Sequence, residues 1–334
     1  MRCVPSAIPA CLRGPRRSSI ILRVEHRAVT ASSASAAGTS VMPHPIAAHC
    51  RGAAPHGILR GMRRPVRRVS RPRTRAELDA TAVPTWRPPR IAGADAASLE
   101  FVLAPGRLPR GRRAYAIGDI HGCLTELRQL HAAIATDLAL RPTAASVLIH
   151  LGDYIDFGPD SGGVLALLAQ GPPVAGLTTV NLMGDHERTA LDALSGDGAA
   201  ATDWLHTGGE AALESWGIAA DEPRDEWRAR LPAAQIAFME GLTLDHREGD
   251  YLFVHAGIRP GVRLDRQEPD DLLGIRQSFL ASEQDFGMIV VHGHSASPIP
   301  AIRPNRIGLD TGAGFGGKLT CAVFEDDAVA FMSA

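Results

Sequence analysis

The folded part of this 334-residue chain is predicted to have an α/β architecture with a mixed sheet. From about Arg107 onward, short apolar runs of strand character alternate with longer runs of helical periodicity. Several of the strand-like runs are apolar throughout, which is typical of buried strands. Five of them end directly in glycine-containing loops that carry His and Asp. The alternation predicts the fold class, and the loops indicate where to look for function.

The predicted elements follow in chain order. The strand-like runs are Ala114–Ile117, Ser146–Leu151, Thr178–Met183, Tyr251–Val254, Met288–Val291, Arg306–Leu309, Leu319–Phe324 and Ala328–Met332. Helices are predicted at Leu124–Leu138, from its apolar stripe, and at Gly163–Gln170, behind capping-type residues. A longer helical segment, roughly Glu187–Phe238, separates the third and fourth strands. We expect its tryptophans to pack in the core.

Charge divides the chain into two parts of opposite sign. Residues 1–113 contain 21 Arg and 5 acidic residues, a formal charge of +16, whereas residues 114–334 carry −17. The first part is rich in Arg, Ala, Ser and Pro and has no aromatic residue before Trp86, so it cannot bury enough apolar surface to offset its chain entropy. We therefore expect residues 1–100 to be a disordered extension and residues 107–334 to form one catalytic domain.

Three interpretations of the extension compete. It is a basic arm for nucleic acid or a membrane surface, an Arg-rich targeting peptide, or the product of a translation start assigned too far upstream. We favour the third, because Lys318 is the only lysine of the chain, as expected of a GC-rich coding sequence in which an upstream frame stays open by chance. The net charge of −1 argues against a nucleic-acid partner.

Cysteine usage and hydropathy predict a cytoplasmic protein. Three of the five cysteines lie in the extension, and Cys123 and Cys321 are far apart with no CxxC pairing, so we expect no disulfide framework. No apolar run approaches the ~20 residues that a membrane span requires, so we expect no membrane association.

Potential metal ligands follow five of the strand-like runs, always beside glycine. The motifs are Gly118-Asp119-Ile120-His121-Gly122, Gly152-Asp153-Tyr154-Ile155-Asp156, Gly184-Asp185-His186-Glu187, His255-Ala256-Gly257 and His292-Gly293-His294. The carboxyl ends of adjacent strands line one crevice in α/β sheets, so these side chains are expected to converge. Carboxylate and imidazole ligands without a thiolate suit Mn²⁺, Zn²⁺ or Fe. The sequence therefore predicts a centre of two divalent ions that hydrolyses phosphoesters by direct attack of water.

The spelling and order of these motifs resemble the calcineurin-like metallophosphoesterases. Within them, the closest pattern is the phosphoprotein-phosphatase branch, whose motifs read GDxHG, GDYxDRGP, GNHE, HAG and GH. The runs that begin at Tyr115, Phe253 and Leu309 look like bacterial serine/threonine phosphatases. The resemblance spans about Ala114 to Ala334 and implies a sandwich of two mixed β-sheets flanked by helices. It also implies that the two divalent ions are Mn²⁺, with Fe or Zn²⁺ as alternatives.

The resemblance also implies a role for each matching residue. The implied metal ligands are Asp119 and His121 for the first ion, Asp153 as the bridge, and Asp185, His255 and His294 for the second ion. His186 would be the general acid for the leaving alkoxide, oriented by Asp156. Arg276 matches an arginine that holds the phosphate.

The chain departs from the family pattern at two positions. Asp185 stands where GNHE has Asn, and Phe157 stands where GDYxDRGP has Arg. The extra carboxylate is expected to reduce the net charge of the ions, and the missing Arg removes a bidentate phosphate donor. We expect weaker phosphate binding, by ~10–100-fold in kcat/KM.

Three functions are consistent with these residues. The leading hypothesis is a serine/threonine protein phosphatase acting on phosphoproteins or small phosphoesters. The second is a symmetric diadenosine tetraphosphatase, since those enzymes share the core motifs. The third is a weakened or inactive phosphatase-like protein that binds phosphorylated partners, which Asp185 and Phe157 suggest.

Overall fold

Two β-sheets pack face to face between layers of helices in a computed structural model of the chain, which describes residues 99–334. The disordered extension predicted over residues 1–100 lies outside the described residues, except for Leu99 and Glu100. The sandwich of two mixed sheets that the motif resemblance implies is confirmed.

The first sheet combines four strands from the beginning of the described region with two strands from its end. Its six strands are β1 (Val102–Leu103), β2 (Arg112–Ile117), β3 (Ala145–His150), β4 (Thr178–Asn181), β10 (Thr320–Glu325) and β11 (Ala328–Ser333). They lie in the order β1-β11-β10-β2-β3-β4. Strands β2, β3 and β4 run parallel, whereas β10 is antiparallel to both of its neighbours.

The second sheet is built from the middle of the described region. Its five strands are β5 (Asp245–Glu248), β6 (Tyr251–Val254), β7 (Ile289–His292), β8 (Ala301–Arg303) and β9 (Arg306–Gly308). They lie in the order β5-β6-β7-β9-β8. The central strands β6, β7 and β9 are parallel, and the two edge strands are antiparallel to them.

Alternation along the strands explains how the layers stack. Ala114 and Ala116 of β2 pack in the core between the two sheets, whereas Tyr115 and Ile117 point to the helices on the other face. The second sheet buries Val254 on its outer face against Phe279 of a short helix. Strands that are covered on both faces require apolar residues at every position, which is why these runs are apolar throughout.

Both shorter predicted helices are present within two residues of their predicted bounds, among the helices that flank the sandwich. They are α1 (Leu124–Leu140), α2 (Ser161–Leu168), α3 (Asp185–Leu194), α4 (Gly198–Trp204), α5 (Glu210–Ser215), α6 (Arg224–Arg230), α7 (Ala233–Glu240), α8 (Pro269–Gly274) and α9 (Gln277–Leu280). The predicted single segment 187–238 is thus several helices, interrupted at glycine and proline. Within residues 99–334, no helix has the length and apolar character needed to cross a membrane.

Three strands escape prediction from the sequence. They are β1, β5 and β8, all at or beside a sheet edge and only two to four residues long. Strand β5 reads Asp-His-Arg-Glu and carries no apolar alternation, because an edge strand needs only its backbone to pair.

Strand register places the motif loops at one edge of the sandwich. Ile117, His150 and Asn181 pair as neighbours at the carboxyl ends of the three parallel strands of the first sheet. His292 and Gly308 pair in the same way in the second sheet. The loops that follow these strands therefore begin at the same level, which is the geometry that brings the predicted ligands together.

A buried pair of histidines links the first sheet to α1. The Nε2 atoms of His131 and His150 are 3.0 Å apart, and Nδ1 of His150 lies 2.7 Å from Oδ1 of Asn181. Burial lowers the pKa of His131 to about 4 and that of His150 to about 3. Both imidazoles are therefore neutral in the folded protein at neutral pH, and one of the two facing nitrogens donates to the other.

This pair predicts a loss of stability in mild acid. The unfolded chain takes up these protons below the ordinary histidine pKa of ~6.5, whereas the folded protein does not, so stability is full above that pH and falls below it. Replacing His131 with Gln keeps a hydrogen-bonding partner for His150 but removes one titrating group. We expect the wild type to lose about 2 kcal/mol more than His131→Gln between pH 7.5 and pH 5, at 1.36 kcal/mol per unit.

Urea unfolding at the two pH values measures this difference. His206→Gln, which changes an exposed histidine, is the matched control and should show the wild-type loss. Equal losses in His131→Gln and the wild type would contradict the assignment of a buried neutral pair.

Candidate metal centre

Four of the predicted ligands form one compact group. The donor atoms of Asp153, Asp185, His255 and His294 all lie within 4.8 Å of one another. Oδ1 of Asp185 lies 2.9 Å from Nε2 of His255 and 3.0 Å from Nδ1 of His294. They come from the loops after β3, β4, β6 and β7, so both sheets contribute. Such a mixture of carboxylate and imidazole donors fits a divalent transition ion.

A second group shares Asp153 with the first. His121, Asp153 and His186 also place donor atoms within 4.8 Å of one another. Oδ2 of Asp153 is 3.6 Å from Nε2 of His121 and 4.0 Å from Nε2 of His186. One aspartate therefore offers one oxygen to each group, which is the arrangement that a bridging carboxylate between two ions needs.

Asp119 lies beside these groups without belonging to either. It is buried, and its Oδ2 accepts a hydrogen bond of 2.7 Å from the backbone N–H of His294. A Cβ on Gly293 would sit 1.9 Å from Oδ1 of Asp119, so only glycine permits this approach. The assignment of Asp119 to the first ion, together with His121, remains a prediction.

Two of the eight buried side-chain polar atoms that lack a hydrogen-bonding partner among residues 99–334 lie at the centre. They are Oδ1 of Asp119 and Nε2 of His294, each at the centre just described. A buried carboxylate oxygen without a partner is costly, and a bound cation would satisfy both atoms. The residues present therefore fit divalent metal ions.

Second hydrogen bonds fix which ring nitrogen faces the centre. Nδ1 of His255 lies 2.9 Å from the carbonyl oxygen of Leu151, and Nδ1 of His121 lies 2.8 Å from that of Ile155. Because a carbonyl can only accept, each Nδ1 carries the proton. Nε2 is therefore the atom of each ring that faces the centre and would bind a metal, as is usual for histidine ligands.

The carboxylates produce a strongly negative field. Although burial opposes it, hydrogen bonds with His255 and His294 lower the pKa of Asp185 below its usual range. Burial and then the charge of Asp310 raise the pKa of Asp119. Although burial disfavours its charged form, Asp153 and Asp185 raise the pKa of His255 well above its ordinary value. The centre thus attracts positive charge, and divalent cations supply it.

His186 and Asp156 form the pair expected of an oriented acid. Nδ1 of His186 is 2.6 Å from Oδ2 of Asp156, and the indole N–H of Trp204 donates to Oδ1 of the same carboxylate over 2.9 Å. Burial lowers the pKa of His186, but the carboxylates of Asp153 and Asp156 outweigh it and raise the pKa to about 10. Divalent ions beside Asp153 would offset part of that rise.

Backbone strain is concentrated at this centre. Of the six non-glycine residues with positive φ in the described region, five lie in the site motifs: His121, Asp153, Asp156, Phe157 and His294. Each is held in the left-handed region at a cost of order 1–3 kcal/mol, which persists only where surrounding contacts enforce it. Strain of this kind clusters at functional sites, in agreement with the ligand geometry.

Arg276 is the predicted site residue that the structure does not connect to the centre. It is exposed and precedes α9, where its carbonyl oxygen accepts the N–H groups of Phe279 and Leu280. Within residues 99–334, its guanidinium makes no hydrogen bond. Its role in holding phosphate remains a prediction.

Glu187 is a site residue that sequence reasoning missed. It is fully buried, and its two oxygens accept backbone N–H groups from the loops after β3 and β4, at distances of 2.8–3.3 Å. These donors belong to Asp153, Tyr154, Ile155 and Gly184. The third motif and the family's GNHE pattern include this residue, but an acidic residue in the first turn of a polar helix is typically a capping residue that faces solvent, so its burial was not predicted.

Asp310 and Trp204 were also missed as parts of the site. Asp310 follows β9 and is buried, with Oδ1 accepting the N–H of Gly312 at 2.9 Å. Its position after a parallel strand beside β7 was the available signal. Trp204 was correctly expected to be buried, but its hydrogen bond to Asp156 leaves no trace in the sequence.

A two-sheet sandwich that brings carboxylates and imidazoles together at the ends of its parallel strands is the arrangement of a metal-binding protein. Residues 112–330 match the calcineurin-like phosphoesterase family, and the chain belongs to that family. The family uses dinuclear divalent metal centres.

Two curated relatives and one solved structure extend the comparison. The chain is 30% identical over 227 residues to serine/threonine-protein phosphatase 1 of Salmonella typhimurium, covering 63% of this chain and 91% of that protein. It is 34% identical over 150 residues to a symmetrical bis(5'-nucleosyl)-tetraphosphatase of Methylococcus capsulatus, which is 44% of this chain and 43% of that protein. A crystal structure of a metallophosphoesterase from Sphaerobacter thermophilus is 18% identical, with a TM-score of 0.41 over 66% of this chain and 87% of that chain.

The burial of Glu187 predicts a large effect of a small substitution. Glu187→Gln turns one carboxylate oxygen into an N–H donor, so two backbone N–H groups lose their acceptor, each at ~1–3 kcal/mol. We expect the free energy of unfolding to fall by about 3 kcal/mol, measured by urea denaturation. The exposed Glu240→Gln is the matched control. A loss in Glu187→Gln below about 0.5 kcal/mol would show that this carboxylate does not hold the two loops together.

Proposed function

We propose that the chain is a phosphatase that uses two divalent metal ions to hydrolyse phosphate monoesters, with phosphoserine and phosphothreonine in proteins as substrates. The observation that carries the proposal is the pair of ligand groups that share Asp153, next to the hydrogen-bonded His186 and Asp156. The likeness along 91% of a Salmonella typhimurium protein named serine/threonine-protein phosphatase 1 supports the same substrate class.

The residues of the site have two roles, which are binding the ions and transferring a proton. The ions are held by Asp119, His121, Asp153, Asp185, His255 and His294. When bound, two divalent ions supply an activated water and the positive charge that a transferred phosphoryl group requires. We favour Mn²⁺ on the motif resemblance, with Fe or Zn²⁺ as alternatives, since carboxylate and imidazole donors suit all three metals.

Proton transfer falls to His186. Its Nδ1 is engaged by Asp156, so its Nε2, which faces the shared Asp153, is the atom that donates a proton to the leaving oxygen. Trp204 holds the other oxygen of Asp156, so the carboxylate cannot rotate away without losing a buried hydrogen bond. Asp156 and Trp204 are therefore positioning residues.

The free, buried state of Cys123 and Cys321 supports a reducing, cytoplasmic setting.

A second candidate is symmetric hydrolysis of diadenosine tetraphosphate. The 34% identity to the Methylococcus capsulatus tetraphosphatase favours it, although that match spans 43% of the relative. The third candidate is a protein that binds phosphate without hydrolysing it, for which the observations are Asp185 and Phe157 in place of the family's Asn and Arg.

One substrate panel separates the three. The full chain is stripped with a chelator, reloaded with Mn²⁺ and assayed on a phosphoserine peptide, p-nitrophenyl phosphate and diadenosine tetraphosphate, alongside Asp153→Asn. We expect about two Mn²⁺ per chain by elemental analysis, highest kcat/KM on the peptide, and loss of both activity and metal in the variant, because Asp153 serves both ligand groups.

The opposing outcomes are distinct. Preference for diadenosine tetraphosphate would favour the second candidate over the first. Full metal loading without hydrolysis of any substrate would exclude the first two candidates and favour the third.

The role of His186 predicts a dependence on the leaving group. We expect His186→Asn to lower kcat for the phosphoserine peptide by ~10²–10⁴-fold, as for loss of a general acid. The loss should be much smaller for p-nitrophenyl phosphate, whose phenolate leaves without a proton. Elemental analysis should show unchanged Mn²⁺. A loss of metal together with equal losses on both substrates would make His186 a metal ligand, as its place beside His121 and Asp153 also allows.

A further inference from the structure

Asp310 is a buried carboxylate at the metal centre that belongs to neither ligand group. Only 7% of its surface is exposed, and it follows β9, which pairs with β7 in the second sheet. The predicted ligands His255 and His294 follow β6 and β7, the two other parallel strands of that sheet. All three parallel strands of the second sheet therefore place a residue of metal-ligand type at the same edge of the sandwich.

The backbone of Asp310 lies where the loops that carry the ligands meet. A Cβ on Gly118, in the loop after β2, would sit 2.4 Å from the carbonyl oxygen of Leu309 and 3.3 Å from the nitrogen of Asp310. The carbonyl oxygen of Asp310 accepts the N–H of Ser297, in the loop after β7, over 3.1 Å. The loops after β2, β7 and β9 are therefore held together at this residue, although the strands belong to two sheets.

One oxygen of the Asp310 carboxylate has a partner and the other has none. Oδ1 accepts the N–H of Gly312 over 2.9 Å, which is the turn that an aspartate commonly forms with the residue two positions later. Within residues 99–334, Oδ2 makes no hydrogen bond. An ionised carboxylate has about four acceptor positions, so most of the capacity of this buried group is unused.

The charge of Asp310 acts on predicted ligands of the first ion. After burial, it is the largest cause that raises the pKa of Asp119. Burial also raises the pKa of Asp310, and Asp153 adds to the rise, whereas His121 opposes it. Because Coulombic interactions weaken with distance, the Asp310 carboxylate lies close to these three residues.

Asp119 provides a second observation that points to a cation. Its buried Oδ1 has no hydrogen-bonding partner among the described residues. Two neighbouring carboxylates that both have an oxygen without a donor repel each other, and a divalent cation removes that repulsion. The side of the centre that contains Asp119 and Asp310 therefore has more negative charge than the protein itself neutralises.

We propose that Asp310 strengthens the binding of the divalent ion on the side of Asp119 and His121 through its negative charge, without being a ligand of that ion. Asp310 is absent from both groups of donor atoms that lie within 4.8 Å of one another, so it acts from outside them. Carboxylates next to metal ligands commonly change metal affinity by ~10–100-fold. The inference rests on the proposed function, because it requires that these residues hold metal ions.

A purely structural role is the competing explanation. The turn from Asp310 to Gly312 leads into a loop that packs on a predicted ligand, since a Cβ on Gly314 would sit 2.6 Å from Cβ of His121. Asparagine forms the same turn through its amide oxygen but carries no charge. Asp310→Asn therefore keeps the loop and removes the charge, which separates the two explanations.

Calorimetric titration of the metal-free full chain with Mn²⁺ tests the inference. We expect the wild type to bind two ions. In Asp310→Asn, the Kd of one ion should rise about tenfold and that of the other should change less than about twofold. His121→Asn should weaken the same binding step as Asp310→Asn, whereas His294→Asn should weaken the other one.

Thermal unfolding in a chelator gives a second measurement that distinguishes charge from structure. Without metal, Asp310→Asn should unfold at the same temperature as the wild type or a higher one, because it removes the repulsion between Asp310 and Asp119. Loss of a structural contact would lower that temperature.

Asp197→Asn is the matched control. Asp197 is exposed at the start of α4, and its Oδ1 accepts the N–H of Ala199, two positions later, over 2.8 Å. The control therefore has the same turn and the same change of charge, and it should bind both ions as the wild type does.

Three results would contradict the inference. Unchanged affinity for both ions in Asp310→Asn would overturn it and leave the proposed function intact. Equal weakening of both ions, with a lower unfolding temperature in chelator, would overturn it in favour of the structural role. Failure of the wild type to bind Mn²⁺ would overturn the inference together with the proposed function.

Discussion

The carboxylate of Asp153 is the point on which the rest of the structure depends. Its oxygens face His121 and His255, which belong to different sheets, and its backbone carbonyl accepts the N–H groups of Ile120 and His121. Its own N–H is held by the buried Glu187. The side chain can take part in both ligand groups only if the two sheets end at the same level. Strand register, loop conformation and site geometry therefore depend on one another.

This constraint explains why strained backbone and close-packed glycine occur together. Asp153 has a φ of 50°, and a Cβ on Gly184 would sit 2.1 Å from its Oδ1. A side chain there would push Asp153 away from its neighbours, whereas glycine lets the loop after β4 close onto the loop after β3. Glu187 then accepts hydrogen bonds from N–H groups of both loops. These buried hydrogen bonds offset the free-energy cost of the left-handed conformation of Asp153.

The sequence was informative wherever a residue's identity alone limits its role. Apolar runs located the central strands, and Asp or His after the runs located side chains that gather at the centre, because burial and affinity for metal ions depend on residue type. Edge strand β5 and the burial of Glu187 were not predicted, since both depend on partners distant in sequence. Trp204 was predictable in part. Its burial was expected, but its hydrogen bond to Asp156 depends on a kinked helix that no local pattern specifies.

The two departures from the family motifs differ in their expected effect on phosphate binding. Asp185 uses Oδ1 to meet both His255 and His294, which an asparagine oxygen would do as well, so the added charge resides mainly on an oxygen outside those contacts. Its side chain is 37% exposed, and solvent screens part of that charge. Phe157 has no comparable substitute, because a ring cannot donate to phosphate. The loss of arginine is therefore the larger of the two departures, because this position offers no guanidinium donor to a phosphate.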